Sequence, residues 1–586
     1  MIQALGASNG IAIGKAFVLP HWEWELPDQK IDVADLAKEF ERLYEGIRRS
    51  KTEIALMKTE LDETVGVSEA SIFDAHLAIL DDPIFMNEIQ GIIQRQYKVA
   101  EVAVKEAIDH FVTMFDLLDD EYMKERALDI KDVGNRLLKH LLGAPEIALP
   151  EDTQPFVLVV RELSPSQLIH LRPELVLGIV TMVGSPTSHS AIMARAFGIP
   201  LVMGVDGKLE EPIETGELII VDGGAGIIHV GPSGETVLRY SEIRKRQLEE
   251  REQLLTIAEL PSVTPDGHKL ILAANISSIK EMEAALSNGA EAVGLFRTEF
   301  LYMDRNHFPS ENEQYEVYRD VVKMLDGKQI IIRTLDIGGD KQLDYYEMPV
   351  EDNPFLGYRA IRFSLDRKDL FKVQLRAILR AAVHGDMQIM YPLITSVEEV
   401  REANALLAEA ERELEAEGVP FRGGIPTGIM VEVPAAVAIA DLLAEEAAFF
   451  SIGTNDLVQF TLAVDRMNEN ISHLYEPFHP AVLRMLRTVT EAAKRKGIPV
   501  SVCGELAGDV RALPILLGLG IEELSLSAQA ILPVKEGLLR TSAAESRLFL
   551  EELFRLPTVG QIRQAAEKFH AETTLSASPG RVYPGV

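Results

Sequence analysis

Residues 449 to 456 read FFSIGTND, an apolar run that ends at a glycine and is followed by Asn455 and Asp456. A short apolar run bounded by turn residues is typical of a strand that is buried on both faces of a parallel sheet. The two polar side chains would then lie at the carboxyl end of the strand. This is the edge at which α/β proteins bind their ligands.

Seven further runs of this kind follow or precede it, separated by segments with helical periodicity. They are KLILAAN (269–275), AVGLFRTEF (292–300), QIIIRTLD (329–336), MQIMYPL (387–393), TGIMVE (427–432), PVSVCGE (499–505) and IEELSLS (521–527). Eight β/α units within about 300 residues predict a (β/α)8 TIM barrel. An open doubly wound sheet is the alternative. The barrel is favoured because Arg297, Arg333, Glu432 and Cys503 also stand at the carboxyl ends of their strands.

The first 230 residues combine β segments with a helical block. Helical runs are predicted at 33–65, 83–97, 100–117 and 120–142, and strands within 1–20 and at 155–160, 176–183, 200–203 and 217–221. This order predicts an α/β domain interrupted by a helical insertion. The expected domains are 1–20 with 145–230 (α/β), 21–144 (helical subdomain), 231–261 (helical linker), 262–575 (barrel) and 576–586 (tail). A plain surface helix is an equal alternative for the linker.

The charge of the chain excludes several classes of function. The sequence has 91 acidic against 58 basic residues, a formal net charge of −33. Such a chain repels phosphate backbones and anionic lipid, so we expect no nucleic-acid partner. The N-terminus resembles no signal peptide, and no uncharged apolar run of membrane-spanning length occurs, so no membrane insertion is expected. A single cysteine fits a reducing compartment, and we expect a cytoplasmic protein.

A histidine stands at a predicted helix start in GSPTSHSAIMARAFGIP (184–200). Unpaired N–H groups and the positive end of the helix dipole stabilise an anion there. His189 could therefore attack phosphorus and hold a phosphoryl group, with Thr187 and Ser188 fixing its tautomer. Packing or capping by this histidine, one of 13 in the chain, remains the alternative.

Cationic and acidic residues at the barrel face suggest an anionic substrate and a metal. Arginine binds carboxylate and phosphate through two parallel hydrogen bonds. The candidate arginines are Arg297, Arg333, Arg359, Arg362 and Arg466. Together they suggest a substrate with two anionic ends, although each arginine could instead pair with a barrel carboxylate. Glu432 and Asp456 suit Mg²⁺, with a buried salt bridge as the alternative.

Cys503, the only cysteine, is either a small core residue or a proton donor. A thiol with an ordinary pKa near 8.5 is mostly protonated at neutral pH and could protonate a carbanion or enolate.

Motifs along nearly the whole chain resemble those of the phosphoenolpyruvate-protein phosphotransferase family, Enzyme I of the bacterial sugar phosphotransferase system. They are ASNGIAIGKA, FDAHLAILDDP, RELSPSQ, TSHSAIMAR, GLFRTEFLYM, RTLDIGGDK, NPFLGYRAIR, MVEVPAA, FFSIGTNDLVQ and VCGELAGD. The barrel motifs and the histidine loop are shared with pyruvate phosphate dikinase and phosphoenolpyruvate synthase. The short N-terminal block with its helical insertion separates Enzyme I from those enzymes.

The resemblance implies that His189 accepts the phosphoryl group of phosphoenolpyruvate, releasing pyruvate, and passes it to a histidine of the carrier protein HPr. It implies that HPr docks on the helical subdomain and that the barrel forms a homodimer. By the same resemblance, substrate is held by Arg297, Arg333, Arg359, Arg466 and Asn455, Mg²⁺ by Glu432 and Asp456, and the enolate is protonated by Cys503. The charges together lead us to expect a positive pocket at the barrel mouth within a negative shell.

Two other functions remain as alternatives, and the sequence differs from the family pattern at two places. A nucleotide-dependent dikinase would need an ATP-binding domain, and a non-catalytic sensor of phosphoenolpyruvate would not need the full set of site residues. The histidine loop reads Gly184-Ser185-Pro186 where many relatives have a second glycine and then an arginine. The role of the tail is not predicted.

Overall fold

The chain divides into two compact units, Met1–Glu249 and Glu250–Val586. The computed structural model describes residues 1–19, 26–27, 30–64, 72–116, 121–144, 154–164, 166–167, 173–184, 188–209, 211–303, 305, 307–339, 341, 343, 345–468 and 470–576. Ser185, Pro186, Thr187 and all but the first residue of the predicted tail lie outside this part of the chain. The boundary between the units falls within the helix Gly234–Leu255, inside the segment predicted as a linker.

A mixed sheet is the framework of the first unit. Its strands are β1 (Ile2–Gln3), β2 (Leu5–Ser8), β3 (Ile11–Val18), β4 (Phe156–Val160), β5 (Val176–Thr181), β6 (Leu201–Met203), β7 (Leu218–Asp222) and β8 (Ile227–Val230), in the order β1-β8-β7-β3-β4-β5-β6-β2. Strands β3 to β6 run parallel. The α/β architecture is as predicted, but β8 was not foreseen, because it has only four residues after a glycine-rich turn.

The helical block is inserted between β3 and β4, which pair directly with each other in the sheet. Its helices are Leu36–Thr64, Ile72–Asp81, Pro83–Gln96, Ala100–Asp116 and Glu121–Leu142. Their apolar faces form one continuous core with residues on a face of the sheet, among them Phe73 and Val104 from the helices and Leu158 and Ile179 from the strands. The insertion therefore folds together with the sheet that carries it.

The second unit is a closed parallel barrel, as the eight apolar runs predicted. Its strands are β9 (Ile271–Ile276), β10 (Ala292–Phe296), β11 (Ile330–Arg333), β12 (Met387–Tyr391), β13 (Thr427–Val431), β14 (Phe450–Ile452), β15 (Val500–Val502) and β16 (Glu523–Leu526). Each strand pairs with the next, and β16 closes on β9.

Helices cover the outside of the barrel. Those in its described part are Ile279–Ser287, Phe300–Met303, Glu311–Met324, Ile361–Asp366, Lys368–Ala381, Val397–Glu417, Pro434–Ala438, Ala440–Leu443, Thr454–Leu462, Pro480–Lys496, Leu513–Leu519, Ala528–Leu538, Ala543–Leu553 and Val559–Ser576. Local signals set their ends. For example, Val397–Glu417 begins at a capping box of Ser396 and Glu399 and ends at Gly418, whose φ of 68° suits glycine.

Strand residues alternate between two cores, because successive side chains point to opposite faces. Phe450 and Ile452 belong to the large outer core between strands and helices. A smaller apolar cluster that includes Met390, Met430 and Cys503 fills part of the barrel interior. Within the described residues, none of the helices is long and apolar enough to cross a membrane.

Candidate active site

His189 is the first residue of the helix His189–Ala196 in the first unit. Ser188 is the N-cap, and its hydroxyl accepts a hydrogen bond from Ala191 N at 3.4 Å. Ser190 anchors the same turn by donating to the carbonyl of Leu163 at 2.6 Å. The residue thus stands at a helix start, as predicted. Its side chain and Thr187 lie outside the described part of the structure.

The other nine candidate residues belong to the barrel, and several of them directly follow strands, whereas Arg362 donates to the backbone carbonyls of Leu356 and Gly357. Arg333 ends β11, while Glu432 and Cys503 directly follow β13 and β15. Parallel strands in a barrel bring their carboxyl ends to one rim. Residues that are far apart in the sequence therefore lie at the same rim of the barrel.

Arg333 is buried in a network of ion pairs that the sequence did not reveal. Its guanidinium pairs with Glu299 and, at 3.1 Å, with Asp336. Lys341 bridges the same two carboxylates at 2.7 and 2.9 Å. Burial raises the pKa of Glu299, but the charges of Arg333 and Lys341 outweigh it and hold the pKa below its usual value. Both carboxylates are therefore ionised.

Arg359 connects this network to the second carboxylate pair. It is 2% exposed, and its Nη2 lies 3.0 Å from Asp336 and 3.3 Å from Asp456. Among the described residues, its Nε and Nη1 groups have no hydrogen-bond partner. A buried N–H group without an acceptor is costly. These groups are placed to donate to an anionic ligand.

Arg466 and Asn455 extend the cluster. Arg466 pairs with the second oxygen of Asp456 at 3.5 Å and is partly exposed. The side-chain oxygen of Asn455 accepts a hydrogen bond from Glu505 N at 2.8 Å. Because the oxygen is used in this way, the amide nitrogen is the group left to donate to a ligand.

Glu432 is almost fully buried next to other carboxylates. Burial, and then the negative charges of Asp456 and Asp336, raise its pKa to about 8. Leu393 N donates to its Oε1 at 2.6 Å. A β-carbon at Gly453 would lie only 2.8 Å from its Oε2, so glycine keeps that oxygen accessible.

These features fit a divalent cation held by Glu432 and Asp456. A cation would remove the repulsion between the carboxylates and return Glu432 to its ionised form. The described residues contain no cluster of three or more histidine, cysteine or acidic ligands. A cation here would take its other ligands from substrate oxygens and water, which is how Mg²⁺ binds.

Cys503 is 4% exposed and belongs to the barrel interior. Burial raises the pKa of its thiol to about 11, although the neighbouring Ser451 hydroxyl acts in the opposite direction, and Sγ donates to the carbonyl of Ile452 at 3.6 Å. The charges of Glu432, Arg333 and Arg297 also act on this thiol, so it lies near both the acidic and the basic residues. The thiol is protonated at neutral pH and is chemically a proton donor.

Arg297 differs from the other arginines because it is exposed. It follows β10 directly, at the same rim as the buried network. An exposed guanidinium keeps its mobility and pairs with a ligand only when one binds.

The charged side chains of the barrel mouth bear on the expectation of a positive pocket, which included a divalent metal beside the arginines. Its cations are Arg297, Arg333, Lys341, Arg359 and Arg466, and its carboxylates are Glu299, Asp336, Glu432 and Asp456. By formal charge the two groups nearly balance, and the raised pKa of Glu432, about 8, leaves a small positive excess at neutral pH. The arginines are thus both possible ligands of a substrate and partners of barrel carboxylates, and a trianionic substrate needs further positive charge.

Comparisons with known proteins agree with this geometry. The family described as "PEP-utilising enzyme, PEP-binding domain" matches residues 251–543, and the N-terminal and mobile domains of such enzymes match 3–126 and 152–226. Phosphoenolpyruvate-protein phosphotransferase of Bacillus subtilis (strain 168) is 45% identical over 96% of this chain and 98% of its own length. The chain belongs to the phosphoenolpyruvate-protein phosphotransferase family.

The chain is also similar to a further curated relative and to a solved structure. The phosphotransferase of Geobacillus stearothermophilus is 44% identical over 96% of both chains. A solved structure titled as Enzyme I (nEIt) covers 42% of this chain at 35% identity, with a TM-score of 0.36.

Three charged residues of the barrel-mouth cluster were not predicted from the sequence, namely Glu299, Asp336 and Lys341. Each lies in a quoted motif, GLFRTEF or RTLDIGGDK, and each is within eight positions of a predicted arginine. Their position after strands β10 and β11 was the signal that could have found them. Only the fold shows that Glu299 and Asp336 neutralise Arg333 and Arg359 and that Lys341 bridges the two carboxylates.

Proposed function

We propose that this chain transfers the phosphoryl group of phosphoenolpyruvate to its own His189, releases pyruvate, and passes the group to a histidine of HPr. This is the first step of a sugar phosphotransferase system. The observation that carries the proposal is the buried Arg359, whose Nε and Nη1 groups lack acceptors next to a carboxylate pair suited to a metal. The curated relatives are named for this activity, and this chain matches them over nearly their whole length.

The barrel mouth would bind the two anionic ends of the substrate. Arg333 and Arg359 are held rigidly by Glu299 and Asp336, so their geometry is set before the substrate arrives. Preorganised donors of this kind stabilise charge as it spreads over the transferring phosphoryl oxygens. Arg297, Arg466 and the amide of Asn455 would complete the binding.

Glu432 and Asp456 would hold Mg²⁺, which supplies positive charge to the phosphoryl oxygens when bound. The near balance of protein charges at the site supports this requirement. We expect EDTA to abolish phosphorylation and added Mg²⁺ to restore it. Glu432→Gln should then demand far more Mg²⁺ than the wild-type chain.

Cys503 would give its proton to the enolate carbon of the leaving group. The S–H bond breaks as the C–H bond forms, and pyruvate results. Its raised pKa keeps the thiol protonated until the enolate forms.

The partner, the assembly and the compartment are further parts of the proposal. The acidic helical block would dock HPr, and the barrel would form the homodimer. A single cysteine in 586 residues fits the cytoplasm.

The test is phosphorylation by phosphoenolpyruvate and Mg²⁺ without nucleotide. We expect an acid-labile, base-stable phosphoprotein that transfers its group to purified HPr, and no labelling of His189→Ala. Labelling that survives this substitution would exclude His189 as the acceptor. Labelling that requires ATP would instead favour a dikinase.

A further inference from the structure

The barrel interior is divided into an apolar half and a polar half. The apolar half includes Leu295, Ile331, Met390 and Met430 on strands β10 to β13. The polar half lies on strands β14, β15, β16 and β9. Its buried residues are Ser451, Ser501, Glu523 and Ser525, and the half-buried Asn275 lies beside them.

Alternation along each strand shows that these polar side chains point inward. Phe450 and Ile452 flank Ser451 and belong to the outer core, as do Val500 and Val502 beside Ser501. Leu524 next to Glu523 also belongs to the outer core. Since neighbouring strand residues point to opposite faces, the polar ones face the barrel interior.

Three of them form a row at one level of the barrel. Ser451 of β14 is in register with Ser501 of β15, and Ser501 is in register with Glu523 of β16. Adjacent strands lie about 4.8 Å apart, a spacing that a bound water can bridge between short side chains. We call these three residues the polar row.

The polar row has unused hydrogen-bonding capacity. Ser451 Oγ, Ser501 Oγ and Glu523 Oε1 are buried oxygens without a hydrogen-bond partner among the described residues. Buried polar groups of this kind are usually satisfied by internal water. Protons can move between two titratable groups along a row of hydroxyls and water molecules.

The row joins the catalytic thiol to a buried acid. At one end Ser451 directly precedes Ile452, whose carbonyl accepts hydrogen bonds from Cys503 N at 3.1 Å and Cys503 Sγ at 3.6 Å, and Glu523 stands at the other end. Glu523 is 8% exposed. Among the described residues no charged side chain pairs with it, and burial alone raises its pKa to about 7, so it exchanges protons readily near neutral pH.

We propose that the polar row Ser451-Ser501-Glu523 returns a proton to Cys503 after each turnover. This inference rests on the proposed function, in which Cys503 loses its proton to the enolate. The thiolate takes the Ser451 proton, which is replaced through water and Ser501 by the proton of the Glu523 carboxylic acid. Glu523 is left as a carboxylate and regains its proton from solvent.

The step predicts a difference between the first and later turnovers. Cys503 begins protonated, so the first pyruvate does not need the row. Every later pyruvate forms only after the row has returned a proton to Cys503. With excess phosphoenolpyruvate and HPr, Glu523→Gln and Ser501→Ala should release one pyruvate per chain at the wild-type rate. Turnover should then slow on the order of 10²-fold, the size of effect that a positioned proton carrier has.

The test is quenched-flow measurement of pyruvate with matched variants. Ser262→Ala, which removes a buried and equally unpartnered hydroxyl outside the row, should behave as wild type. Glu523→Asp, which keeps a proton carrier, should regain much of the later rate. Melting temperatures identify a variant that fails to fold. Ser501→Ala removes only one oxygen, so it tests the relay even if Glu523→Gln fails to fold.

Two outcomes would overturn the relay. One is a steady rate in Glu523→Gln and Ser501→Ala equal to that of Ser262→Ala. The other is equal slowing of the first and later turnovers, which indicates a structural role. A wild-type chain that phosphorylates no histidine and forms no pyruvate would refute the proposed function itself, and the relay with it.

Discussion

Arg359 shows how one side chain can be both a structural ion-pair partner and a ligand-binding group. One nitrogen, Nη2, serves Asp336 and Asp456, while Nε and Nη1 remain without acceptors among the described residues. The carboxylates fix the orientation of the planar guanidinium, and the free edge is presented to a ligand. Lysine has a single terminal nitrogen and cannot divide its donors between two directions in this way.

Arg359→Lys should therefore raise the KM for phosphoenolpyruvate and lower kcat/KM by roughly 10- to 100-fold, since hydrogen bonds to charged groups are worth about 1.5 to 3 kcal/mol. The measurement is steady-state pyruvate release. Arg362→Lys is the matched control, because Arg362 donates to the backbone carbonyls of Leu356 and Gly357 in the same segment. Equal losses in both variants would contradict a binding role specific to Arg359.

Cys503 gives a second prediction at this scale, because the chain has no other thiol. Burial raises its pKa to about 11, and only the thiolate reacts with alkylating reagents. At pH 7.5 we expect iodoacetamide to modify the folded chain more than about 10²-fold more slowly than the guanidinium-unfolded chain, given the usual thiol pKa near 8.5. Mass spectrometry of a single adduct gives both rates. Comparable rates would show that the thiol is neither buried nor protonated.

At the scale of elements, the sequence predicted most of what places the site. Eight apolar runs marked the barrel strands, and the candidate residues at the ends of five of these runs marked the rim. The sequence could not show which of those residues pair. Arg333 ends one strand and Glu299 follows another, so the two come into contact only when the barrel forms. The sequence also did not show that the barrel interior is divided into an apolar and a polar half. ELSL alternates polar and apolar residues, but the level that Glu523 shares with Ser501 depends on strand register.

An aspartate far away in sequence caps the helix Ala543–Leu553. Asp266 accepts hydrogen bonds from Ala543 N at 3.0 Å and Ala544 N at 2.9 Å, and Thr264 donates to it at 2.6 Å. These bonds outweigh its desolvation and lower its pKa. Acceptors at a helix start satisfy N–H groups that have no partner within the helix.

Asp266→Ala should lower the free energy of unfolding of the barrel by about 1 to 2 kcal/mol at pH 7, the usual cost of losing a cap. Because the folded pKa is depressed, this stabilisation is present above about pH 4 and is lost as the pH falls further. Urea unfolding at pH 7 and pH 3 measures it. Asp320→Ala, which removes an exposed partner of Arg319, should cost less than about 0.5 kcal/mol. The gap between Asp266→Ala and wild type should be smaller at pH 3 than at pH 7, and a gap of equal size at both pH values would contradict an electrostatic contribution of the carboxylate.

For the whole molecule, the net charge of −33 is unevenly distributed. At the barrel mouth, five cations nearly balance four carboxylates, so the site escapes the general negative field. Residues 21–143 contain 27 acidic and 15 basic residues. Exposed members such as Asp81 and Asp74 pair with Lys51 and Lys58, yet acids remain in excess over the block. A surface of this sign attracts a partner with a basic docking face.

The proposed transfer to HPr should consequently slow as salt rises, because screening over about 8 Å at 0.15 M ionic strength weakens long-range attraction. Stopped-flow or quench measurement of phosphoryl transfer from the phosphorylated chain to HPr, at several salt concentrations, gives the association rate. Asp81→Asn with Asp82→Asn should lower that rate and flatten its salt dependence. Glu249→Gln with Glu250→Gln, the same charge change in the linker helix, should alter both much less. An association rate that does not vary with salt would mean that the acidic block does not steer the carrier.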